Sequence, residues 1–423
     1  MEKMDLARIA AVLSIALLVP LTGCTDPGLI DTGDDIRWDG IGLNETGASD
    51  EGMTEMSDAL NQFGIDMYLE LNDGSENVFL SPYSIFTALS MTYEGARGNT
   101  AVEMADVLHL PDNDTARRGS FARIQNKING TDDYELASPN RIWPAENYPY
   151  LQSFFDIITD YYFGGIEYED YWNDPEGSRQ EINYWVENQT NDRIKDLIPQ
   201  GIIDQNTVMV LTNAIYFLGK WMYEFNKEET KDADFTLSSG TTVKVPTMGM
   251  KVTDGLNYYE DDDLQAVELP YKGGDLYMTV LLPKDSMTSL ESSLSEEMLS
   301  DIDSGMERKE LDVFMPKFEM TTEYTLKDPL MELGMIQAFG GADFSGMNGG
   351  YEPLQISEVL HKAFVKVDEE GTEAAAATAV VIRNYSGVPE TPIFRADHPF
   401  IFFITHKETG SILFMGKVED PRF

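Results

Sequence analysis

The sequence predicts an α+β architecture, and three stretches of it carry that expectation. Met56 to Leu71 spaces Leu60, Phe63, Ile65, Met67, Tyr68 and Leu71 as the apolar stripe of an amphipathic helix. Gln180 to Ile198 repeats the pattern with Ile182, Trp185, Val186, Ile194 and Leu197, and leads into Thr207 to Phe217, a β-rich apolar run that suits a central strand. Near the C-terminus, Asp368 to Ile382 reads as a glycine, a run of small residues and then a β-branched run. Its alanines favour helix, but Gly371 interrupts that pattern and Thr378, Val380, Val381 and Ile382 favour sheet. We read it as a spare strand held out of its sheet.

The elements follow in chain order. Met1 to Thr25 has Lys3 and Arg8, an apolar stretch from Ile9 to Leu21, and then Leu-Thr-Gly-Cys. That stretch is shorter than the ~20 residues of a spanning helix and is interrupted by Pro20, so it predicts an export signal over residues 1–23. Cys24 is the single cysteine, which excludes an intramolecular disulfide. Residues 24–55 are rich in Gly, Asp and Thr with one basic residue, Arg37, and predict an acidic flexible tether. From residue 56 to 423 no composition break or internal repeat appears, which predicts one large domain. It opens with the Met56–Leu71 helix. A short strand at Asn77-Val-Phe-Leu, a Ser-Pro break and a helix closed by Gly95 to Gly98 come next.

Composition limits function. A chain with 42% hydrophobic and 11% aromatic residues buries a sizeable core, so disorder is excluded. With 74 acidic against 30 basic residues the net charge is −44, spread through the chain, and such a surface repels nucleic acid. The charge also points to adaptation to high salt, where screening removes most of the self-repulsion. Four histidines, no His-Glu-x-x-His, no phosphate loop and no cysteine pair leave metal sites and cofactors without support. Ser81, Ser84, Asn213 and His361 invite a nucleophile-and-base reading. Ser81, however, precedes Pro82, lies among apolar residues and has no Gly-x-Ser-x-Gly elbow, so a buried hydrogen-bonded cluster is the better account.

Several motifs then resemble one family. Asn77-Val-Phe-Leu-Ser-Pro-Tyr-Ser-Ile, Glu94-Gly-Ala-Arg-Gly-Asn-Thr, Leu211-Thr-Asn-Ala-Ile-Tyr-Phe-Leu-Gly-Lys-Trp221, Val267-Glu-Leu-Pro-Tyr, Met315-Pro-Lys-Phe and His398-Pro-Phe-Ile-Phe-Phe-Ile occur in the order and spacing of the serpins. Glu369, Gly371, Thr372 and Ala374 to Ala377 resemble the hinge of the reactive-centre loop in inhibitory members. The resemblance covers essentially all of 56–423. It implies three β-sheets with eight or nine helices, a reactive-centre loop over about 369–397, and a monomeric protease inhibitor rather than an enzyme.

Residue by residue, the resemblance makes Ser81, Ser84, Asn213 and His361 a shutter under the gap that the loop opens. It pairs Lys317 with Glu369 at the breach, above Trp221. Family spacing puts the scissile bond fourteen residues beyond Gly371, at Tyr385-Ser386, which suits a chymotrypsin-like serine protease held as a covalent complex. Arg383 is the competing reactive residue, suited to a trypsin-like protease. In extended form Thr372, Ala374, Ala376, Thr378, Val380 and Ile382 share one face, and Glu373 and Arg383 the other. Leu21-Thr-Gly-Cys24 resembles the lipobox of prokaryotic lipoproteins, which implies lipidation at Cys24 and a protein anchored on the outer face of its membrane; taken with the charge, the expectation is an archaeal, halophilic source. A non-inhibitory surface binding protein is the alternative.

Overall fold

In a computed structural model the described residues are 42–129, 134–137, 140–213, 215–372 and 391–422. They form ten α-helices and three sheets, one helix more than the eight or nine expected. The body also begins earlier than Met56. Ser49 caps the first helix by accepting from the Gly52 amide, so the helix spans Asp50–Leu71. Before it, the Leu43 amide donates to Asn126 Oδ1 (2.8 Å) and Asn126 Nδ2 donates to the Leu43 carbonyl (3.1 Å). The expected tether therefore does not extend to residue 55: polar composition there reflects capping and surface, not a lack of structure. The rest of the expected tether, with Cys24 and the signal, lies outside the described residues.

The first helix buries Met56, Leu60, Phe63 and Met67 and packs beside Pro82–Tyr93, where Pro82 starts the helix and Ser81 caps it. The second predicted helix is Pro175–Gln189, not Gln180–Ile198. Asn191 and Asp192 follow at positive φ (49° and 61°) and stop it. Ile194 and Leu197 are nevertheless buried, in a satellite core with Trp143, Tyr171, Ile182 and Val186. The apolar spacing reported burial correctly and backbone conformation wrongly.

The largest sheet has nine strands and includes Thr242–Glu260, a 19-residue strand that pairs along different parts of its length with three neighbours, Lys231–Thr236, Leu264–Pro270 and Glu307–Pro316. Its inner face is almost wholly apolar: Phe400–His406 and Ile412–Val418 are buried at every position. The second sheet runs in the order Phe318–Thr325, Leu360–Val367, Gly371–Thr372, Tyr216–Lys220 and Glu135–Ala137. The third runs Gly164–Ile166, Asn140–Pro144 and Met209–Asn213. The predicted strand Thr207 to Phe217 thus supplies both small sheets, as Met209–Asn213 and then Tyr216–Lys220. Helix Pro175–Gln189 contributes Ile182 and Val186 to the satellite core with Trp143, and so covers one face of the third sheet.

Candidate functional site

Gly371–Thr372 is a strand of two residues, and its position is the centre of the site. It pairs antiparallel with Leu360–Val367 on one side (Val367 opposite Thr372) and antiparallel with Tyr216–Lys220 on the other (Gly371 opposite Lys220, Thr372 opposite Gly219). The spare strand is therefore not wholly outside its sheet: its first two residues are already in it. Farther along, Ile215 and Ala363 of the flanking segments meet directly in a parallel bridge, the only pairing between those two strands among the described residues. Two parallel strands with a seam between them accept a third strand antiparallel to both, and each bond of that ladder would be a new one.

Local chemistry holds the hinge in place. A Cβ at Gly371 would strike the Gly219 carbonyl oxygen and come 2.8 Å from the Lys220 Cα, so this approach needs glycine. A Cβ at Gly219 would in turn lie 2.9 Å from the Tyr271 ring. The three carbonyls before Gly371 are all taken: Trp221 Nε1 donates to Asp368 O (3.0 Å), the Phe225 amide to Glu369 O (2.9 Å) and the Trp221 amide to Glu370 O (2.9 Å). Thr372, 2% exposed, shares a 2.8 Å hydrogen bond with the Tyr271 hydroxyl, and the Tyr271 ring stacks on Trp221 with centroids 4.5 Å apart.

Acidic side chains at the hinge are individually matched. Glu369 is buried and accepts from Lys317 Nζ (2.7 Å) and Thr230 Oγ1 (2.7 Å). Burial alone would raise its pKa, but the bonds from Lys317 and Thr230 outweigh it and hold the carboxyl below its ordinary range. Glu370 pairs with Lys227, whose ammonium is raised chiefly by that bond. Among the described residues at this end no buried charge is left alone, the condition under which such groups are tolerated.

The second cluster is also buried but works differently. Ser81 Oγ accepts from the Ser84 amide (3.1 Å) and donates to the Leu413 carbonyl (2.6 Å), while the Ser81 amide donates to His361 Nε2 (3.1 Å). The hydroxyl proton is thus committed to a carbonyl, and the imidazole faces an amide. This is not a nucleophile with its base. His361 is neutral, with its proton on Nδ1, and burial pushes its pKa down to about 3. It sits opposite Tyr324 on Leu360–Val367, so it ties that strand to the capped start of helix Pro82–Tyr93. Asn213 is placed by its backbone, opposite Asn140.

Comparison with known proteins decides the family. Residues 58–421 match the family model for serpins, described as serine protease inhibitors. The chain belongs to the serpin family. An uncharacterized serpin-like protein of Thermococcus kodakarensis is 42% identical, over 86% of this chain and 85% of its own. The leukocyte elastase inhibitor of Bos taurus is 38% identical, over 87% of this chain and 100% of its own. Among solved structures, Serpin48 of the insect Tenebrio molitor superposes with a TM-score of 0.76 at 33% identity, covering 86% of this chain and 98% of that one.

For this serpin the structure brings together Trp221, Lys317, Glu369, Gly371 and Thr372 at one end of the seam, and Ser81, Ser84 and His361 beneath it. Ala374, Ala375, Ala376, Ala377, Arg383, Tyr385 and Ser386 lie outside the described residues. Sequence reasoning missed Tyr271, Gly219, Thr230 and Lys227. Tyr271 and Gly219 stand inside quoted motifs, but only the ladder shows that they frame Thr372 and Gly371. Thr230 and Lys227 stand in no motif.

Proposed function

We propose that this serpin inhibits a chymotrypsin-like serine protease by accepting cleavage at Tyr385-Ser386 and then inserting the cleaved strand into the seam. The observation that carries the reading is the Gly371–Thr372 strand, antiparallel to both neighbours and seated where insertion must begin. The protease serine oxygen attacks the Tyr385 carbonyl carbon. The bond to the Ser386 nitrogen breaks, that nitrogen leaves as an amine with the proton relayed by the protease histidine, and Tyr385 remains as an ester. Thr372 to Asn384 then extends the strand that Gly371 starts. Loop insertion by serpins is a standard illustration of strand addition.

About fourteen residues at ~3.3 Å each carry the tethered protease roughly 45 Å. Traction on the ester draws the protease serine from its base and oxyanion hole, and deacylation slows. The intact form is then a kinetic trap whose release is driven by new ladder bonds and by burial of the Thr, Ala, Val and Ile face. Small hinge side chains from Ala374 to Ala377 suit passage between the strands. Lipidation at Cys24 after export would hold the inhibitor on the outer side of the membrane, where a secreted protease meets it.

The test is incubation with chymotrypsin and with trypsin. With chymotrypsin we expect a complex that survives denaturing electrophoresis and a released fragment beginning at Ser386. Rapid cleavage by both enzymes with no complex would refute inhibition; a complex with trypsin alone, ending at Arg383, would refute the chymotrypsin-like specificity. Covalent incorporation of radiolabelled palmitate into the protein on expression in a bacterial host, lost in Cys24→Ser, tests the anchor.

A further inference from the structure

Beyond Ile215 and Ala363, at the far end of the seam, lies a cavity of about 850 Å³, a size within the range of small-molecule sites. Its walls are largely apolar. Ile85 and Leu89 come from helix Pro82–Tyr93, Ile198 and Ile203 from the segment after helix Pro175–Gln189, and Met347 and Leu354 from the stretch before Leu360–Val367. Five carboxylates also line it, Glu146, Glu169, Asp170, Glu352 and Glu358, with no lysine or arginine. Among the described residues none of the five sits in an ion pair.

Glu169 is held in place by its backbone. Its amide donates to the Pro144 carbonyl (2.9 Å) and its carbonyl accepts from the Glu146 amide (2.8 Å), continuing the parallel pairing of Gly164–Ile166 with Asn140–Pro144. Two residues earlier Glu167 meets Arg141, whereas level with Glu169 stands Ala145, which offers no partner. The Glu169 side chain is buried, the residue being 5% exposed, and its Oε1 lacks a hydrogen-bond partner among the described residues. Burial pushes this carboxyl up to about 7, with Ser178 opposing the rise and Glu181, Glu167 and Glu146 adding to it. An acid so placed is costly until a cation donates to it.

The lining selects among ligands. Five carboxylates repel an anion, and a neutral molecule leaves the Glu169 charge uncompensated. A metal ion finds no convergent set, because among the described residues no three histidine, cysteine or acidic side chains come together as ligands. A cation with an apolar body satisfies both halves of the lining, its body against the apolar walls and its charge on Glu169. Glu146 and Glu352, both exposed, add an attractive field at the mouth. Trp172, 72% exposed, adds an indole to the rim, the ring best suited to cation–π contact.

We propose that this cavity binds a small organic ammonium ion with an aliphatic or aromatic body, and that Glu169 is the residue that pairs with the ammonium. A primary ammonium is a compact point charge with three donors, which suits a single unpartnered oxygen in an apolar space; a planar guanidinium is matched to paired oxygens. The site belongs to the intact protein and stands independently of the inhibitory reading.

The probe is dansylcadaverine, a primary ammonium on a five-carbon chain with a naphthalene body. It is titrated into the intact full chain at pH 8 and about 0.5 M salt, where attraction to the protein's general negative charge is screened. Fluorescence is the readout, and circular dichroism confirms the folding of each variant. Wild type should bind saturably with a blue shift of the probe's emission. Affinity should fall at least about tenfold for the N-acetylated probe, which keeps the body and loses the charge, and by a similar factor in Glu169→Gln. Glu297→Gln, a carboxylate outside this cavity, should bind as wild type does. No saturable binding by wild type overturns the site. Equal binding of the acetylated probe overturns the ammonium assignment whatever the variants do. Unchanged affinity in folded Glu169→Gln overturns the role of Glu169, and an equal loss in Glu297→Gln identifies the attraction as general charge and also overturns the proposal.

Discussion

The two ends of the seam are built on opposite terms. At the hinge, Asp368, Glu369 and Glu370 crowd three acids together, yet their carbonyls are taken by Trp221 and Phe225 and the buried carboxylates meet Lys317, Thr230 and Lys227. At the far end, Glu169 Oε1 and His361 Nδ1 are buried with no hydrogen-bond partner. Under the proposed insertion, this contrast would give the strand a direction: matched polar groups seat the first two residues, and buried groups without hydrogen-bond partners lie at the far end.

The strongest challenge to this contrast is at the hinge. Gly371→Val would drive a side chain into the Gly219 carbonyl, and Thr372→Arg would place a long cation against Tyr271. Overpacking of this kind costs about 1–3 kcal/mol, which is roughly fivefold to a hundredfold in the partition between trapping and release. Both variants should be cleaved as substrates, with little stable complex on denaturing gels. Survival of the complex in Thr372→Arg would mean that insertion does not start where the ladder places it.

The next effect belongs to His361. Its folded pKa is about 3 against an ordinary value of 6.5, so the unfolded chain binds the proton first as pH falls. The stability contributed by the neutral, buried ring is complete above 6.5 and is lost as pH falls from 6.5 towards 3, at up to about 1.4 kcal/mol per pH unit. His361→Gln should flatten urea-derived stability over that window while lowering it at pH 8. Glu169 has the opposite sign: its raised pKa makes ionisation destabilising to the intact form, so stability is lost as pH rises from 4.5 through about 7. Glu169→Gln should remove that loss from intact protein.

A smaller effect is expected at the matched end. Lys317→Ala leaves Glu369 with Thr230 alone, but the lysine is 37% exposed and screened, so the cost is about 1 kcal/mol and a fall in midpoint of about 2 °C. The same substitution should speed spontaneous loss of inhibitory activity on storage, because it loosens the hinge. The smallest local but most general effect is salt: at a net charge of −44 the melting midpoint should rise between dilute buffer and molar salt. A midpoint that does not move would remove the salt-adaptation reading.

Legibility varied by the range of the interaction. The start of helix Pro82–Tyr93 was readable because Ser81-Pro82 encodes a cap and a first turn within a few residues. Helix Asp50–Leu71 was readable in its apolar stripe but not at its start, since the Gly- and Asp-rich run before Met56 looks alike whether it caps a helix or stays solvated. The extent of Pro175–Gln189 was misread because Ile194 and Leu197 bury themselves from irregular backbone. Glu369 and Lys317 were identified as a pair by resemblance, and the structure supplied Thr230 and Lys227, which approach from more than a hundred residues away.

The sequence by itself determined how many residues separate Gly371 from Arg383 and Tyr385, and which side chains would share a face in an extended strand, because alternation and chain length are local properties. Tertiary structure alone decided that Gly371 and Thr372 are seated between Leu360–Val367 and Tyr216–Lys220, and in which register. Register and charge matching depend on which strands become neighbours, and that is settled only when the sheet forms.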